Sequence, residues 1–480
     1  MQYKVFGCKV NKYYTDKWLN SEYLHDKTGT FVASCVVTDS AKRKWVRFVK
    51  KEVQTLELPA KVFISGCWAF KDGKAQDNFF DIYPELCFAR EKIEVLDEAP
   101  PEEETKISVE GLLWTSMTLP TALNLSFSSK GTENTALLSS PEEWNIPKTK
   151  KAAIVWVSNI NLSKLEALKK TQIYTRKYVL IQGGCDSFCT FCLTVQKRGK
   201  HFYRSAQDIA SEIQEFADAG GKEAVLTGVN LAAWGLKNTY ILENFSKDIL
   251  KNGKTGGDKN RLAELLTYLL KHTTIPRLRI SSIWPEFVNN NLLEVFAETR
   301  IIPHFHFSIQ SGSNTILQAM ARHYDGNYMR KLLKKMLTIP RKDGVSISIG
   351  ADIIVGFPGE TDKDFEDTME LIRDYNITKL HAFPFSAHTL GESVPAGKFQ
   401  NQIPENTKKQ RMSDILSLGE EVAKKFLESQ KWKVLHVLVE KSNGTSFSWW
   451  TENYLEATQE NFIIIEGLAK RNHIITGKFL

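Results

Sequence analysis

The chain has 480 residues, 42% of them hydrophobic and 25% charged, which suits a soluble globular protein with room for roughly two to four domains. Lys and Arg exceed Asp and Glu by 63 to 56, a net charge of +7, which permits a polyanionic partner such as RNA but is equally met by a solvated lysine-rich surface. No window reaches the roughly 18 consecutive apolar residues of a membrane span, and the opening MQYKVFGCKVNKYY lacks the apolar run of a signal peptide, so a cytoplasmic protein without membrane attachment is expected. In that reducing compartment, seven cysteines read as ligands rather than disulfides.

The first segment is taken as residues 1–150. YKVFGC, TFVASC and KVFISGC are short strand-like runs, and each closes on a cysteine: Cys8, Cys35 and Cys67. Helical patterns follow the first two. Asn11 is expected to cap one, with Tyr14, Trp18 and Leu19 on its apolar side. Asp39 or Ser40 is expected to cap the other, with Ala41, Trp45, Phe48 and Val49 at helical spacing. Strand–helix alternation predicts a parallel sheet, whose strand ends share one edge, so the three cysteines can converge. Three buried structural thiols are the plainer alternative. Residues from about 100 to 150, with PPEEET and a polar, turn-rich stretch, read as an edge region and linker.

The second segment, 170–428, repeats strand and helix. Strands are expected at 177–182, 223–227, 278–282, 304–309, 346–355 and 379–385. Ser205 and Asp208 suit a helix start and Gly220-Gly221 a stop; Thr361 suits a second start. Six such units are fewer than the eight of a closed barrel, so the fold class is α/β with an open, partial barrel. Residues 236–260 look like an insertion. The third segment, 429–480, has short strands split by turns and reads as a small β-barrel.

The stretch IQGGCDSFCTFCLTVQKRG places Cys185, Cys189 and Cys192 within eight positions, just after the first central strand. Structural zinc sites close a tetrahedron with four ligands, and His201 is the only near fourth donor. Iron–sulfur clusters take thiolates at tight spacing, and three leave one iron open to a chelating molecule. Polar loops follow the later strands as well: TGVNLAAWG, SSIWPE, IQSGS, GFPGET and FSAH. Each alone is an ordinary turn; together at one end of a βα barrel they describe a ligand site.

The Cys185–Cys189–Cys192 pattern resembles the radical S-adenosylmethionine superfamily. With FGCKVNKYYT, ASCVVTDSAKRK and FISGCWA before it, and HVLVE and TENYLEA after it, the layout resembles the methylthiotransferases of that superfamily. GCKVN, LTGVNLAAWG, LHAFPFS and TENY most resemble the branch that acts on N6-threonylcarbamoyladenosine beside the tRNA anticodon. The resemblance implies an N-terminal methylthiotransferase domain, a (βα)6 radical SAM barrel and a TRAM-like RNA-binding barrel. It implies two 4Fe–4S clusters, one on Cys185, Cys189 and Cys192 that binds S-adenosyl-L-methionine, and one on Cys8, Cys35 and Cys67 that carries sulfur. It further implies a tRNA anticodon stem-loop as substrate, electron-donor and sulfur-source proteins as partners, and a monomer.

Gly228, Asn230, Ser282, Glu286 and Gln310, placed just past strands, are the expected S-adenosylmethionine contacts. Phe191 is a stacking or core aromatic. Arg176, Lys177, Lys197, Arg198, Lys200 and Arg204 are expected to meet RNA phosphates. Where the related enzymes carry an arginine and Gly-Thr after the sixth strand, this chain has His388 and Leu390-Gly391-Glu392. Cys87 fits no pattern and is taken as structural. The rival expectations are a methylthiotransferase for isopentenyladenosine tRNA or a ribosomal protein, and a non-catalytic RNA-binding zinc protein.

Overall fold

The computed structural model describes residues 1–35, 38–101, 174–236, 261–388, 393–442 and 447–480. The expected linker after residue 101, nearly all of the 236–260 insertion and Leu390-Gly391-Glu392 lie outside the described residues. Residues 1–100 and 174–480 form one compact unit.

Strands β1 (Gln2–Val5), β2 (Gly29–Ser34), β3 (Lys61–Gly66) and β4 (Ile93–Val95) form a parallel sheet in that order. Val5 pairs with Ala33, and Ser34 with Gly66, so the expected parallel sheet forms and its C-terminal ends are level. Helices α1 (Lys9–Leu19) and α2 (Asp39–Thr55) make the crossovers. Both caps differ from expectation. Thr38 caps α2, its hydroxyl accepting from Ala41 N at 3.1 Å. Asn11 lies inside α1, which has Cys8 at its N-cap. The Asn11 side chain is buried and donates to Ser34 O at 2.7 Å and Phe6 O at 3.0 Å. A polar residue near a helix start is a capping signal in sequence, but here its donors are needed by two strand ends.

The central region holds six parallel strands: β5 (Lys177–Gly183), β6 (Glu223–Gly228), β7 (Arg277–Ile280), β8 (His304–Gln310), β9 (Ser348–Val355) and β10 (Ile377–Pro384). β5, β6 and β7 pair in one ladder and β8, β9 and β10 in another; the bridges Leu278↔Ile301 and Ile283↔Phe307 join them. No ladder links β5 to β10 among the described residues, as a partial barrel requires. Ser205 and Thr361 cap their helices as expected, Thr361 with a reciprocal bond from Asp364.

Side chains alternate along these strands. Val179, Ile181, Leu226, Ile280, Phe307 and Ile353 enter one apolar core with the surrounding helices. The residues between them, such as Gln182, Thr227, Arg279, His306 and Asp352, therefore line the barrel's inner face. α1 packs Val10 and Tyr13 against Tyr178, Leu180 and Val225 of that face. A 26-residue helix, α3 (Glu405–Gln430), leads from the barrel to two three-stranded antiparallel sheets spanning Val434–Phe479. Leu435, Val437, Trp449, Phe462 and Ile475 form their shared core. No helix among the described residues is long and apolar enough to cross a membrane.

Glu223, fully buried at the start of β6, faces three guanidiniums: Arg279 Nε at 2.6 Å, Arg277 Nε at 3.0 Å and Arg176 Nε at 3.3 Å. Burial pushes its carboxyl up, but the three arginines hold it well below the usual carboxylate range. Removing the carboxylate leaves buried positive charge uncompensated. Glu223→Gln is expected to cost about 3–5 kcal/mol in urea unfolding at neutral pH. Because the folded value is depressed, that contribution is present above the unfolded value near 4.3 and is lost as pH falls through the folded value, so the variant and parent converge in acid. An unchanged urea midpoint at pH 7 contradicts this role.

Candidate active site

Cys185 is set by the Gly183-Gly184 end of β5. Gly184 has φ +63°, and a Cβ there would sit 1.8 Å from Lys200 O, so a larger residue would part the chain from the returning segment. Cys185 N then bonds Gly199 O at 3.1 Å, and Cys192 N bonds Cys189 O at 3.1 Å. These turns bring the three thiols within electrostatic range of one another. Burial pushes Cys185 up to about 12 and Cys189 up to about 11. Such thiols stay protonated at neutral pH unless a metal supplies the charge that water no longer screens.

Cys35 and Cys67 directly follow the paired residues Ser34 and Gly66, so they stand on neighbouring strands at one edge. A Cβ on Gly7 would lie 3.0 Å from Cys35 Sγ, which places the Cys8 segment against it. Cys8 and Cys67 interact electrostatically, and burial raises Cys67 to about 11. None of the seven cysteines forms a disulfide. Cys87 is exposed and donates to Phe80 O at 3.4 Å.

Each triad has an arginine that sequence reasoning did not place there. Arg322 is buried, donates to Cys189 Sγ at 3.6 Å and Ser308 O at 2.9 Å, and lies 3.8 Å over the Trp284 ring. Arg198 is hydrogen-bonded to Cys67, to Asn11 Oδ1 at 2.6 Å and to Glu98. It belongs to the short helix Thr194–Arg198, which directly follows the Cys192 loop. That helix docks beside the Cys67 loop: Gly73 N bonds Lys197 O at 3.1 Å, and Leu193 joins the Cys67 core. One helical turn thus connects the two triads.

Past β6 and β7 lies a group of sealed polar atoms. Both side-chain atoms of Asn230, both carboxylate oxygens of Glu286, Thr227 Oγ1 and Ser281 Oγ are buried and have no hydrogen-bond partner among the described residues. Arg322 Nη2 approaches Glu286 only to 3.9 Å. Native proteins leave few such groups unmatched, so a cluster of them marks a ligand's place. Gly228 abuts Gln182, where a Cβ would come within 3.0 Å of the backbone oxygen. Gln310 is buried at φ +71°, beside a register shift in β8. Ser282 is half-buried next to the sealed Ser281.

The inner wall below holds His306, Asp352 and His381, with ligand atoms all within 4.8 Å. Asp352 Oδ1 lies 2.9 Å from His306 Nε2 and 3.5 Å from His381 Nδ1. Two histidines and a carboxylate can hold a divalent ion. Here Lys9 and Arg279 lie within electrostatic range of the same wall, a poor setting for a further cation.

This geometry goes against the zinc alternative and against one expectation. His201 is no metal ligand: its Nδ1 meets Gln182 Nε2 at 2.9 Å and its Nε2 meets Leu236 O at 3.0 Å, so both ring nitrogens are engaged. The basic run is largely not an RNA-facing surface. Arg176, Lys197 and Arg198 are buried, and Arg204 donates to Glu212 Oε2 at 2.6 Å and Leu180 O at 3.0 Å. Their charges are spent inside the fold, which a charge count cannot reveal. Phe191 packs against both major cores, the core alternative for that side chain. His388 is buried beside Trp68, with ring centroids 6.2 Å apart.

A family profile described as the Radical SAM superfamily matches residues 179–372. Residues 179–372 thus resemble a radical SAM domain. The matched span begins in β5 and runs through the helix Asp362–Asp374, so it includes the Cys185 triad and the sealed polar cluster. The threonylcarbamoyladenosine tRNA methylthiotransferase MtaB of Bacillus subtilis is 32% identical over 288 residues, covering 59% of this chain and 58% of that protein. The tRNA-2-methylthio-N(6)-dimethylallyladenosine synthase of Alkaliphilus oremlandii is 34% identical over 284 residues, covering 58% of this chain and 55% of that protein. The chain thus spans a little over half the length of these curated relatives. The solved methyltransferase TsrM from Kitasatospora setae aligns with 77% of this chain and 66% of its own at 12% identity, with a TM-score of 0.37.

His201→Ala is expected to leave the metal content of the reconstituted protein unchanged and to cost about 1–3 kcal/mol for two lost hydrogen bonds. Metal analysis with a thermal melt checks both; loss of metal would restore the imidazole as a ligand.

Proposed function

We propose that the protein is a tRNA methylthiotransferase that converts N6-threonylcarbamoyladenosine beside the anticodon to its 2-methylthio derivative. The observation that carries this is the pairing of two thiol triads, each with its own arginine, across the short helix Thr194–Arg198. The curated relatives share the methylthiotransferase activity in their names and differ in the adenosine they modify.

In this reading residues 1–150 form the methylthiotransferase domain with its linker, 170–428 the radical SAM core and 429–480 a TRAM-like RNA-binding barrel. Cys185, Cys189 and Cys192 hold one 4Fe–4S cluster, and Cys8, Cys35 and Cys67 hold the second. The donor sets fit: the thiols converge, and burial makes Cys67, Cys185 and Cys189 poor anions without a metal. When bound, the clusters and S-adenosylmethionine supply the electron, carbon radical and sulfur needed at an unactivated aromatic C–H bond, which no side chain can attack alone.

The protein's own groups do the rest. Asn230, Glu286, Ser281 and Thr227 offer unmatched donors and acceptors to the polar parts of S-adenosylmethionine, beside Gly228, Ser282 and Gln310. Arg322 and Arg198 set positive charge against thiolate sulfur. The apolar core behind each loop, with Leu193 and Phe191, keeps water from the buried sulfurs of Cys35, Cys67, Cys185 and Cys189. Electron donor and sulfur source are separate proteins.

Anaerobic reconstitution is expected to load about eight irons with matching sulfide per chain, as two four-iron clusters require. Replacing Cys185, Cys189 and Cys192 by Ala together is expected to halve the iron and abolish S-adenosylmethionine cleavage. Replacing Cys8, Cys35 and Cys67 is expected to halve the iron but keep cleavage. Product nucleosides from tRNA lacking the methylthio group are read by mass spectrometry. Zinc in place of iron, or a modified ribosomal protein and unmodified tRNA, would overturn the assignment.

A further inference from the structure

Two cations at the barrel's inner face keep donors that the proposed chemistry does not use. Lys9 directly follows Cys8 at the start of α1. Its ammonium has no hydrogen bond or ion pair among the described residues, yet it lies within electrostatic range of Arg279, Asp352 and Arg176. Asp352 does not compensate it: that carboxylate is taken by His306 at 2.9 Å, His381 at 3.5 Å and the Ser308 hydroxyl at 3.4 Å.

Arg279, on β7, is 2% exposed. Its Nε is bonded to Glu223 Oε1 at 2.6 Å, but Nη1 and Nη2 have no partner. Glu223 also serves Arg176 and Arg277, Glu440 meets Arg176 at 3.0 Å, and the Arg279 guanidinium lies 5.2 Å over the Tyr454 ring, which leaves its two Nη groups without a hydrogen bond. A buried guanidinium with unmatched donors, beside a half-buried ammonium with no partner, is costly and is retained where an anion comes to meet it.

We propose that Lys9 and Arg279 form a carboxylate receptor in the barrel wall that selects a nucleoside whose N6 substituent ends in a carboxylate. The inference rests on the reading that the barrel receives a tRNA adenosine for reaction at C2. C2 and the N6-bearing carbon flank N1 on one edge of adenine. A base with C2 presented to the triads therefore directs its N6 group along the same wall, and Lys9 is the residue next to a triad cysteine. A threonylcarbamoyl group brings a carboxylate to the two cations. A dimethylallyl group brings none and leaves both unmatched, the kind of mismatch that gives strong discrimination. An RNA phosphate offers the same charge but not on the base, so the two sources separate by experiment.

The test uses the full-length reconstituted protein and an anticodon stem-loop RNA carrying one modified adenosine: the N6-threonylcarbamoyl acid, its neutral methyl ester, or the dimethylallyl form. Binding is read at fixed salt by fluorescence anisotropy, and the acid-to-ester ratio is taken within each preparation. The parent protein is expected to bind the acid on the order of tenfold more tightly than the ester. That ratio is expected to fall to near one in Lys9→Gln and in Arg279→Gln, and to recover in Lys9→Arg. A parent ratio near one overturns the receptor, as does a Lys9→Gln variant that weakens acid and ester RNAs equally, the signature of a phosphate contact. Binding needs no turnover. Discrimination without methylthio product therefore sinks the methylthiotransferase reading and upholds the receptor, whereas product without discrimination does the reverse.

Discussion

The Arg198 guanidinium holds together the parts from which the site is built. It arises from the loop that carries Cys185, Cys189 and Cys192, and it reaches Asn11 in the first helix, Glu98 past the fourth strand and Cys67 at the sheet edge. Asn11 in turn ties the end of β1 to the end of β2 through Phe6 O and Ser34 O. The level of the cysteine-bearing edge and its seat on the barrel thus share one hydrogen-bonded group. Burial makes that group demanding: a guanidinium away from water must keep its carboxylate and amide partners, so the neighbouring segments are fixed in position. Lys197 beside it is buried as well, its ammonium 5.5 Å over the Trp68 ring.

The barrel shows the complementary constraint. Its strands are apolar toward the helices and polar toward the interior, the reverse of a core packed on both faces. α1 covers part of that interior with Val10 and Tyr13. The rest of that inner face carries His306, Asp352, Arg279 and the sealed groups of Asn230 and Glu286. Each is a cost in an empty protein and a contact in a loaded one. Arg322 belongs to the same wall, joining the Cys189 sulfur to the backbone of β8.

Much of this was legible in the sequence because it depends on local signals. The alternation of short apolar runs and helical stripes located all six barrel strands to within about two residues, the margin at which element ends are ordinarily defined. The tight Cys185–Cys189–Cys192 spacing needs only one loop to converge. Cys8, Cys35 and Cys67 were harder, and they came together because parallel strands in register must end on one edge. Thr38 displaced Asp39 and Ser40 as a cap because several adjacent hydroxyls and carboxylates serve equally well on paper, and backbone angles choose among them.

The sequence by itself determined the fold class, the strand order along the chain and the two sets of thiols, since periodicity and spacing are written in neighbouring residues. Only the tertiary structure decided what the charges do. A run such as QKRGKHFYR looks the same whether it faces RNA or folds inward. The docking of the Thr194–Arg198 helix on the N-terminal sheet buried Lys197 and Arg198, Gln182 and Leu236 engaged both nitrogens of His201, and the Arg279 Nη groups stayed without a hydrogen bond. Electrostatic pairing acts between groups far apart in sequence, so their partners exist only once the chain is folded.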